Sequence, residues 1–138
     1  MKISTKGRYA LRMMLDLAGH QSDGYVALKD IARRQEISKK YLEQIVPILT
    51  SRGSQGGYRL AHSPEKYTVG GLLRLTEGGL NPVPCLEQYP NQCSRSADCP
   101  TLPVWQGLNR VITEYLDGIT LQDILDQQKQ SYSNNYVI

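Results

Sequence analysis

The stretch from Leu28 to Leu60, LKDIARRQEISKKYLEQIVPILTSRGSQGGYRL, constrains the fold most, because two short helical repeats run straight into a glycine-rich, arginine-bearing turn. Leu28, Ile31 and Ala32 are spaced to share one helix face, which belongs in a core. Lys29, Asp30, Arg33 and Arg34 fall elsewhere on that helix. Gln35-Glu36 breaks the pattern, and the Ser38 hydroxyl is placed to accept from the first orphan amides of a second helix. There Leu42, Ile45 and Leu49 make the inward stripe, while Lys39, Lys40, Tyr41, Glu43 and Gln44 occupy the opposite side. Pro47 lies inside this helix and is expected to kink it or end it early.

Two helices joined by a short turn, the second presenting polar residues from its first turns, suit the DNA major groove. Gln44 has the donor and acceptor to pair with adenine, and Glu43 can accept from a cytosine amine. Lys39 and Lys40 suit phosphates, which set register without reading sequence. A carboxylate on such a face repels phosphate, so Glu43 is expected to discriminate between sites more than it attracts. A solvated helix surface of mixed charge is the plainer alternative.

The turn that follows weighs against that alternative. Arg52-Gly53, Gly56-Gly57 and Tyr58-Arg59-Leu60 have the look of a hairpin tip entering a strand, with glycines permitting close backbone approach. A guanidinium at such a tip suits the minor groove. Thr50-Ser51-Arg52 shows no first strand to pair with Tyr58–Leu60, so either this wing is one-sided or the chain lacks residues there; the second is favoured. The candidate DNA-contacting set is Ser38, Lys39, Lys40, Tyr41, Glu43, Gln44, Arg52 and Gly53.

Charge is distributed in the same sense. The net charge of +3 conceals 11 Lys/Arg against 5 Asp/Glu in residues 1–59 and 5 against 8 in residues 60–138, so the basic end is the one that faces a polyanion. No apolar run is long enough to cross a bilayer, and MKISTKGRY lacks the apolar segment of a signal peptide; a cytoplasmic protein with no membrane partner is expected.

Outside this stretch, Ser4 or Thr5 caps a helix to about His20, with Leu11, Met14, Leu15 and Ala18 as its core stripe. Met13 and Met14 are read as packing residues. Lys6, Arg8 and Arg12 lie on its other faces, equally suited to phosphate or to solvent. His20 suits the helix C-terminus and needs no ligand role. Tyr25-Val26-Ala27 is a short strand or an extended lead. Thr68 caps a helix carrying Val69, Leu72, Leu73 and Thr76 that stops at Gly78-Gly79. From Pro103 to Asp117 a long helix carries Val104, Leu108, Val111, Ile112, Tyr115 and Leu116 in a stripe that needs a partner, most simply its twin in a two-fold dimer. Dimerisation would set two recognition helices one DNA turn apart. Thr120 and Asp123 resemble a capping box opening a short last helix, followed by a tail from Lys129.

Cys85, Cys93 and Cys99, the only cysteines, form C-x7-C-x5-C in an irregular loop rich in proline, asparagine and serine. An odd count argues against a disulfide framework. The spacing is looser than the C-x2-C pairs of structural zinc, and soft thiolates select zinc, copper(I) or iron–sulfur centres. Three thiolates leave a fourth position open, giving an incomplete zinc site or a cluster with one non-cysteine ligand. Three unrelated free thiols are a weak alternative, because chance would scatter them along the chain; a reversible thiol switch without metal is a stronger rival than that. An enzyme using these thiols is disfavoured: there is no C-x-x-C pair, cofactor fingerprint or acid/base constellation, and only 2 histidines.

Together MKISTKGRYALRMMLDLA, ISKKYLEQ, the RGxxGGYxL element, three cysteines in one loop, a tryptophan soon after the last, and ITLQDIL resemble the IscR-like family of iron–sulfur cluster regulators over nearly the whole chain. That resemblance implies a mainly α fold with a small β wing, a winged helix-turn-helix followed by a long C-terminal dimerisation helix. It divides the chain into a DNA-binding domain (1–79), a cysteine-bearing cluster loop (80–102) and a segment with the dimerisation helix, short last helix and tail (103–138). It implies a homodimer on double-stranded operator DNA. A 2Fe–2S cluster would sit on Cys85, Cys93 and Cys99, be supplied by the iron–sulfur assembly machinery, and control assembly genes. By position Glu43 and Gln44 would read bases and Arg52 would enter the minor groove. Where the family places a histidine as fourth ligand this chain has Leu102, which cannot bind iron, leaving Asp98, Glu87, a water or thiol, or a group from the other subunit. The first cysteine gap is wider than in the best-known members. A related nitric-oxide-sensing branch holds a 4Fe–4S cluster, so a repressor sensing nitric oxide or thiol redox state is the alternative.

Overall fold

The computed structural model describes residues 2–54 and 56–136. Its central element is α1 (Thr5–Gly19). The Ser4 hydroxyl caps it by accepting from the Gly7 N–H at 3.0 Å. The Ser4 N–H and hydroxyl in turn donate to Glu77 Oε1 at 3.0 and 2.6 Å, which sets a carboxylate where the helix dipole favours it. Gly7 permits that approach, since a Cβ there would run into the same Oε1.

The helix-turn-helix is α2 (Leu28–Gln35) and α3 (Lys39–Leu49). Ala10, Met13, Met14 and Leu17 of α1 meet Ile31, Leu42, Ile45 and Val46 in the main core, with Ile37 sealing the turn. The stripe on α1 is therefore wider than the expected Leu11, Met14, Leu15 and Ala18. Cover by α2, α3 and two later helices from several directions widens it, while Leu11 and Leu15 are only half-buried. Pro47 does not stop α3. It lies exposed near the end, and Thr50 closes the helix with both its N–H and its hydroxyl donating to the Val46 carbonyl.

The wing has both of its strands, correcting the expectation of a missing one. Ser51–Arg52 (β1) pairs antiparallel with Tyr58–Arg59 (β2), Ser51 opposite Arg59 and Arg52 opposite Tyr58. Thr50 alone joins α3 to β1, so no residues are lacking there. Tyr58 also exchanges two backbone hydrogen bonds of 2.8 Å with Val26, which settles Tyr25–Ala27 as an extended lead bridged to the sheet.

After the wing come α4 (Val69–Glu77), α5 (Leu102–Asp117) and α6 (Leu121–Tyr136). Thr68 caps α4, and Gly78 ends it at φ 76°. Val69, Leu73 and Leu80 make a second cluster with Ile112 and Leu116 of α5 and Ile124 of α6. The capping box is present: Thr120 N–H donates to Asp123 Oδ2 at 2.9 Å and Asp123 N–H to Thr120 Oγ1 at 3.0 Å. The last helix is not short. Its Leu121 is fully buried in the main core and Leu125 packs on that core, so the helix is anchored on α1 and its polar remainder continues through Lys129 to Tyr136. No residue of α5 is fully buried, and Val104, Val111 and Tyr115 stand 59%, 61% and 67% exposed.

Candidate nucleic-acid interface

The turn between α2 and α3 is built by Glu36, in the left-handed region at φ 54° and ψ 42°, and by Ile37, whose N–H donates to the Ala32 carbonyl at 3.1 Å. Ser38 then caps α3, accepting from the Tyr41 N–H at 3.1 Å. The α3 axis starts at an exposed serine, and Ser38, Lys39, Lys40, Glu43 and Gln44 are all exposed. Tyr41 is different. It is half-buried, its ring edge-on to Tyr9 with centroids 5.4 Å apart, so much of its surface is spent on packing.

Lys39 and Glu43 face a groove of about 390 Å³ whose other walls are Lys29 at the start of α2 and Gly57 and Tyr58 of the wing. Helix and wing thus flank one concave surface. Among the described residues no cation lies within ion-pair distance of Glu43, and Lys39 and Lys40 have no carboxylate partner.

Two basic residues that sequence reasoning leaves free are taken up internally. Arg34 Nε and Nη2 donate to Asp16 Oδ2 and Oδ1 at 2.9 and 2.6 Å, and the Gln35 amide adds a third bond to Oδ2 at 2.9 Å. Burial pushes the Asp16 carboxyl up, but the bonds from Arg34 and Gln35 and the charges of Arg34 and His20 outweigh it, so it sits below the usual aspartate value. Arg12 lies against the Tyr9 ring and donates to the Gln35 side-chain and main-chain oxygens at the C-terminus of α2, where a cation is favoured. This network ties the end of α2, and so the entry to α3, to α1. His20, at the end of α1, has Nδ1 2.7 Å from the Asp16 carbonyl.

At the wing tip, Gly53 N–H donates to the Gly57 carbonyl and Gly56 N–H to the Gly53 carbonyl, both at 3.0 Å, with Gly56 and Gly57 at φ 89° and 80°. The backbone of Arg52 is in β1; its side chain lies outside the described residues. Sequence reasoning misses Tyr25 and Arg59, whose guanidinium stands 4.5 Å over the Tyr25 ring centroid. The available signal is the pair of glycines flanking the tip, which implies a bulky neighbour.

The cysteines lie between α4 and α5. Cys85 and Cys99 are half-buried, Cys93 is exposed, and all three are free thiols. Cys99 Sγ is 3.4 Å from Thr101 Oγ1, and that side chain, with the backbone of Thr101 and Leu102, holds the thiol below its ordinary value. As donors, three soft thiols match a metal or cluster. Their placement does not yet form one site: among the described residues no three His, Cys, Asp or Glu side chains gather as a ligand set. Leu102 is the first residue of α5.

A capped recognition helix, a two-stranded wing beside it and a shared groove define a winged helix-turn-helix regulator of transcription. The family model of Rrf2, described as an iron-dependent transcriptional regulator, matches residues 3–127, and the chain belongs to that family. The chain is 39% identical to protein rrf2 of Nitratidesulfovibrio vulgaris over 91% of its own length and 87% of the relative's. Among solved structures it is similar to T. potens IscR (TM-score 0.71, 36% identity, covering 95% of this chain and 90% of that one). It is equally similar to CymR, the global cysteine regulator of B. subtilis (TM-score 0.73, 35% identity, 90% and 95%). Further relatives, IscR of Aliivibrio salmonicida (35% identical over 97% of this chain and 83% of the relative) and CymR of Bacillus subtilis (35%, 96% and 97%), are named HTH-type transcriptional regulators.

Proposed function

We propose that this chain is a homodimeric regulator that reads operator DNA with α3 and the wing, and whose operator choice responds to a 2Fe–2S cluster carried by Cys85, Cys93 and Cys99. The observation that carries the DNA-reading part is the groove shared by Lys39, Glu43 and the wing strand at Tyr58, with Lys40 and Gln44 exposed on the same helix. Lys39 and Lys40 would meet phosphates, Gln44 and Glu43 base edges, and Arg52, whose backbone lies in β1, would serve the minor groove. The exposed stripe of Val104, Leu108, Val111 and Tyr115 on α5 supports a two-fold partner.

When bound, a cluster supplies a labile, redox-active group to the loop between α4 and α5. The chain's own part is to offer three thiols on one loop, Cys99 standing against Thr101 just before α5, while the apolar Leu102 offers no ligand. Assembly machinery would deliver the cluster, and iron–sulfur assembly genes would be the targets. A second reading, a repressor sensing thiol redox state or nitric oxide, is favoured by the exposed, ungathered Cys93 and by the similarity to a cysteine regulator.

Selection from a random duplex pool, followed by titration of the enriched duplex at several salt concentrations, tests the first part. A single enriched motif and affinity that falls steeply with salt are expected; equal binding to any duplex would overturn it. An anaerobic absorption spectrum with iron and sulfide analysis separates the two sensing readings: a visible band with stoichiometric iron and sulfide supports the cluster, and a colourless protein with thiol-dependent DNA binding supports the second.

A further inference from the structure

We propose that Tyr25, outside the helix-turn-helix, is the positioning residue of the wing, setting where its tip stands relative to α3. A hairpin with two residues per strand is marginal by itself and needs outside support. Tyr25 supplies it on three sides. A Cβ added at Gly53 would stand 2.8 Å from Tyr25 Cδ1, and one added at Gly57 would stand 3.0 Å from Tyr25 Cβ, so both glycines are where the tip closes on this residue. The Arg59 guanidinium on β2 covers the ring face at 4.5 Å from its centroid. The next residue, Val26, holds Tyr58 through a reciprocal pair of backbone bonds.

The ring nevertheless remains 45% exposed, and it is absent from the main core, so its contacts serve the wing and not the head's packing. Arg59 is held on the ring, and among the described residues it has no carboxylate partner. A tip held this way presents Arg52 from a prepared position, so DNA binding does not have to order the hairpin. Among the described residues the contacts use the ring and Cβ and no hydrogen bond from the hydroxyl, which makes phenylalanine an adequate substitute and alanine an inadequate one.

This inference rests on the proposed use of the wing in DNA binding, and a double-mutant cycle on the full chain keeps the two apart. Affinity for the duplex enriched by selection is measured for the parent, Tyr25→Ala, Tyr25→Phe, Arg52→Ala and the Tyr25→Ala/Arg52→Ala pair, with thermal melting as the check on folding. Arg52→Ala and Tyr25→Ala are each expected to weaken binding by about tenfold, the pair by little more than either, and Tyr25→Phe by less than about twofold. Full additivity in the pair, parental binding by Tyr25→Ala, or failure of Tyr25→Phe to bind like the parent would each overturn the role of Tyr25. Parental binding by Arg52→Ala would instead sink the wing reading on which it rests. If Tyr25→Ala does not fold, Tyr25→Leu, which keeps an apolar side chain and the Cβ beside Gly57 but removes the ring under Arg59, takes its place in the cycle with the same expected non-additivity.

Discussion

Asp16 and Arg34 are joined by two hydrogen bonds, at 2.9 and 2.6 Å, with the aspartate side chain only 1% exposed. A buried carboxylate is tolerated because both of its oxygens accept hydrogen bonds, Gln35 supplying the third bond. Asp16→Ala is expected to destabilise the head by about 2–3 kcal/mol, below the usual loss for a broken buried pair because Arg34 is 29% exposed and can turn to water. The Asp16 carboxyl titrates below its unfolded value, so its contribution is complete above the ordinary aspartate range and is lost as pH falls through the lower, folded value. Denaturant unfolding of the parent and of Asp16→Asn should therefore show a stability gap at pH 7 that narrows below about pH 4. A gap independent of pH would show that the charge of Asp16 contributes nothing.

How much of this was legible in the sequence depends on whether the cause is local. Ser4, Ser38, Thr68 and Thr120 each cap the helix their positions imply, because a cap is decided within three residues. The exposed side of α3 follows from helical period in the same way. The first strand of the wing is not legible: two residues carry no alternation, and Ser51–Arg52 becomes a strand only by facing Tyr58–Arg59. The reach of α6 is hidden in QQKQSYSNNY, which has no apolar period; its helix is set by the anchoring of Leu121 and Leu125 on α1. Arg12 and Arg34 read as free cations, and only the fold brings Gln35 and Asp16 to them. The placement of the three thiols was never open to periodicity, since a loop of prolines and polar residues has none.

Glu43 shares the groove with Lys29 and Lys39, but among the described residues it forms no ion pair. Removing it takes away a repulsion from every phosphate and a hydrogen bond from at most one base. Glu43→Ala is thus expected to leave total affinity unchanged or higher while lowering the ratio between best and second-best duplex by about tenfold, the worth of one base contact. Competition titrations with the two duplexes measure it, and an unchanged ratio would remove Glu43 from base recognition.

Cys93 is the exposed thiol of the three, with its N–H held by Asn91 Oδ1 at 2.8 Å, so its loss leaves little packing to repair. Cys93→Ala should melt within about 0.5 kcal/mol of the parent. After anaerobic reconstitution with iron and sulfide it should lack the visible absorption band expected of the parent. A variant that kept the band at full intensity would exclude Cys93 as a ligand.

The apolar stripe of α5 bears on assembly. Val111 and Tyr115 are 61% and 67% exposed, whereas Ile112 and Leu116 of the same helix turn inward to the second cluster, so one face is committed to the subunit and the other is not. The bidentate Arg74–Asp117 pair, at 2.7 and 3.0 Å, ties the end of α5 to α4 and presents that outer face on a fixed support. A glutamate at Val111 meets water in a monomer and costs it little, but in a two-fold dimer it would sit unpaired against apolar side chains. If the proposed two-fold dimer forms through this face, Val111→Glu folds like the parent by circular dichroism, sediments as a monomer while the parent sediments as a dimer, and binds a two-half-site duplex about tenfold more weakly or worse. Its affinity for a single half-site should be nearly unchanged, because Val111 is 61% exposed and lies outside the groove lined by α3 and the wing. Retention of the dimer with glutamate at Val111 would place the two-fold contact elsewhere on the molecule.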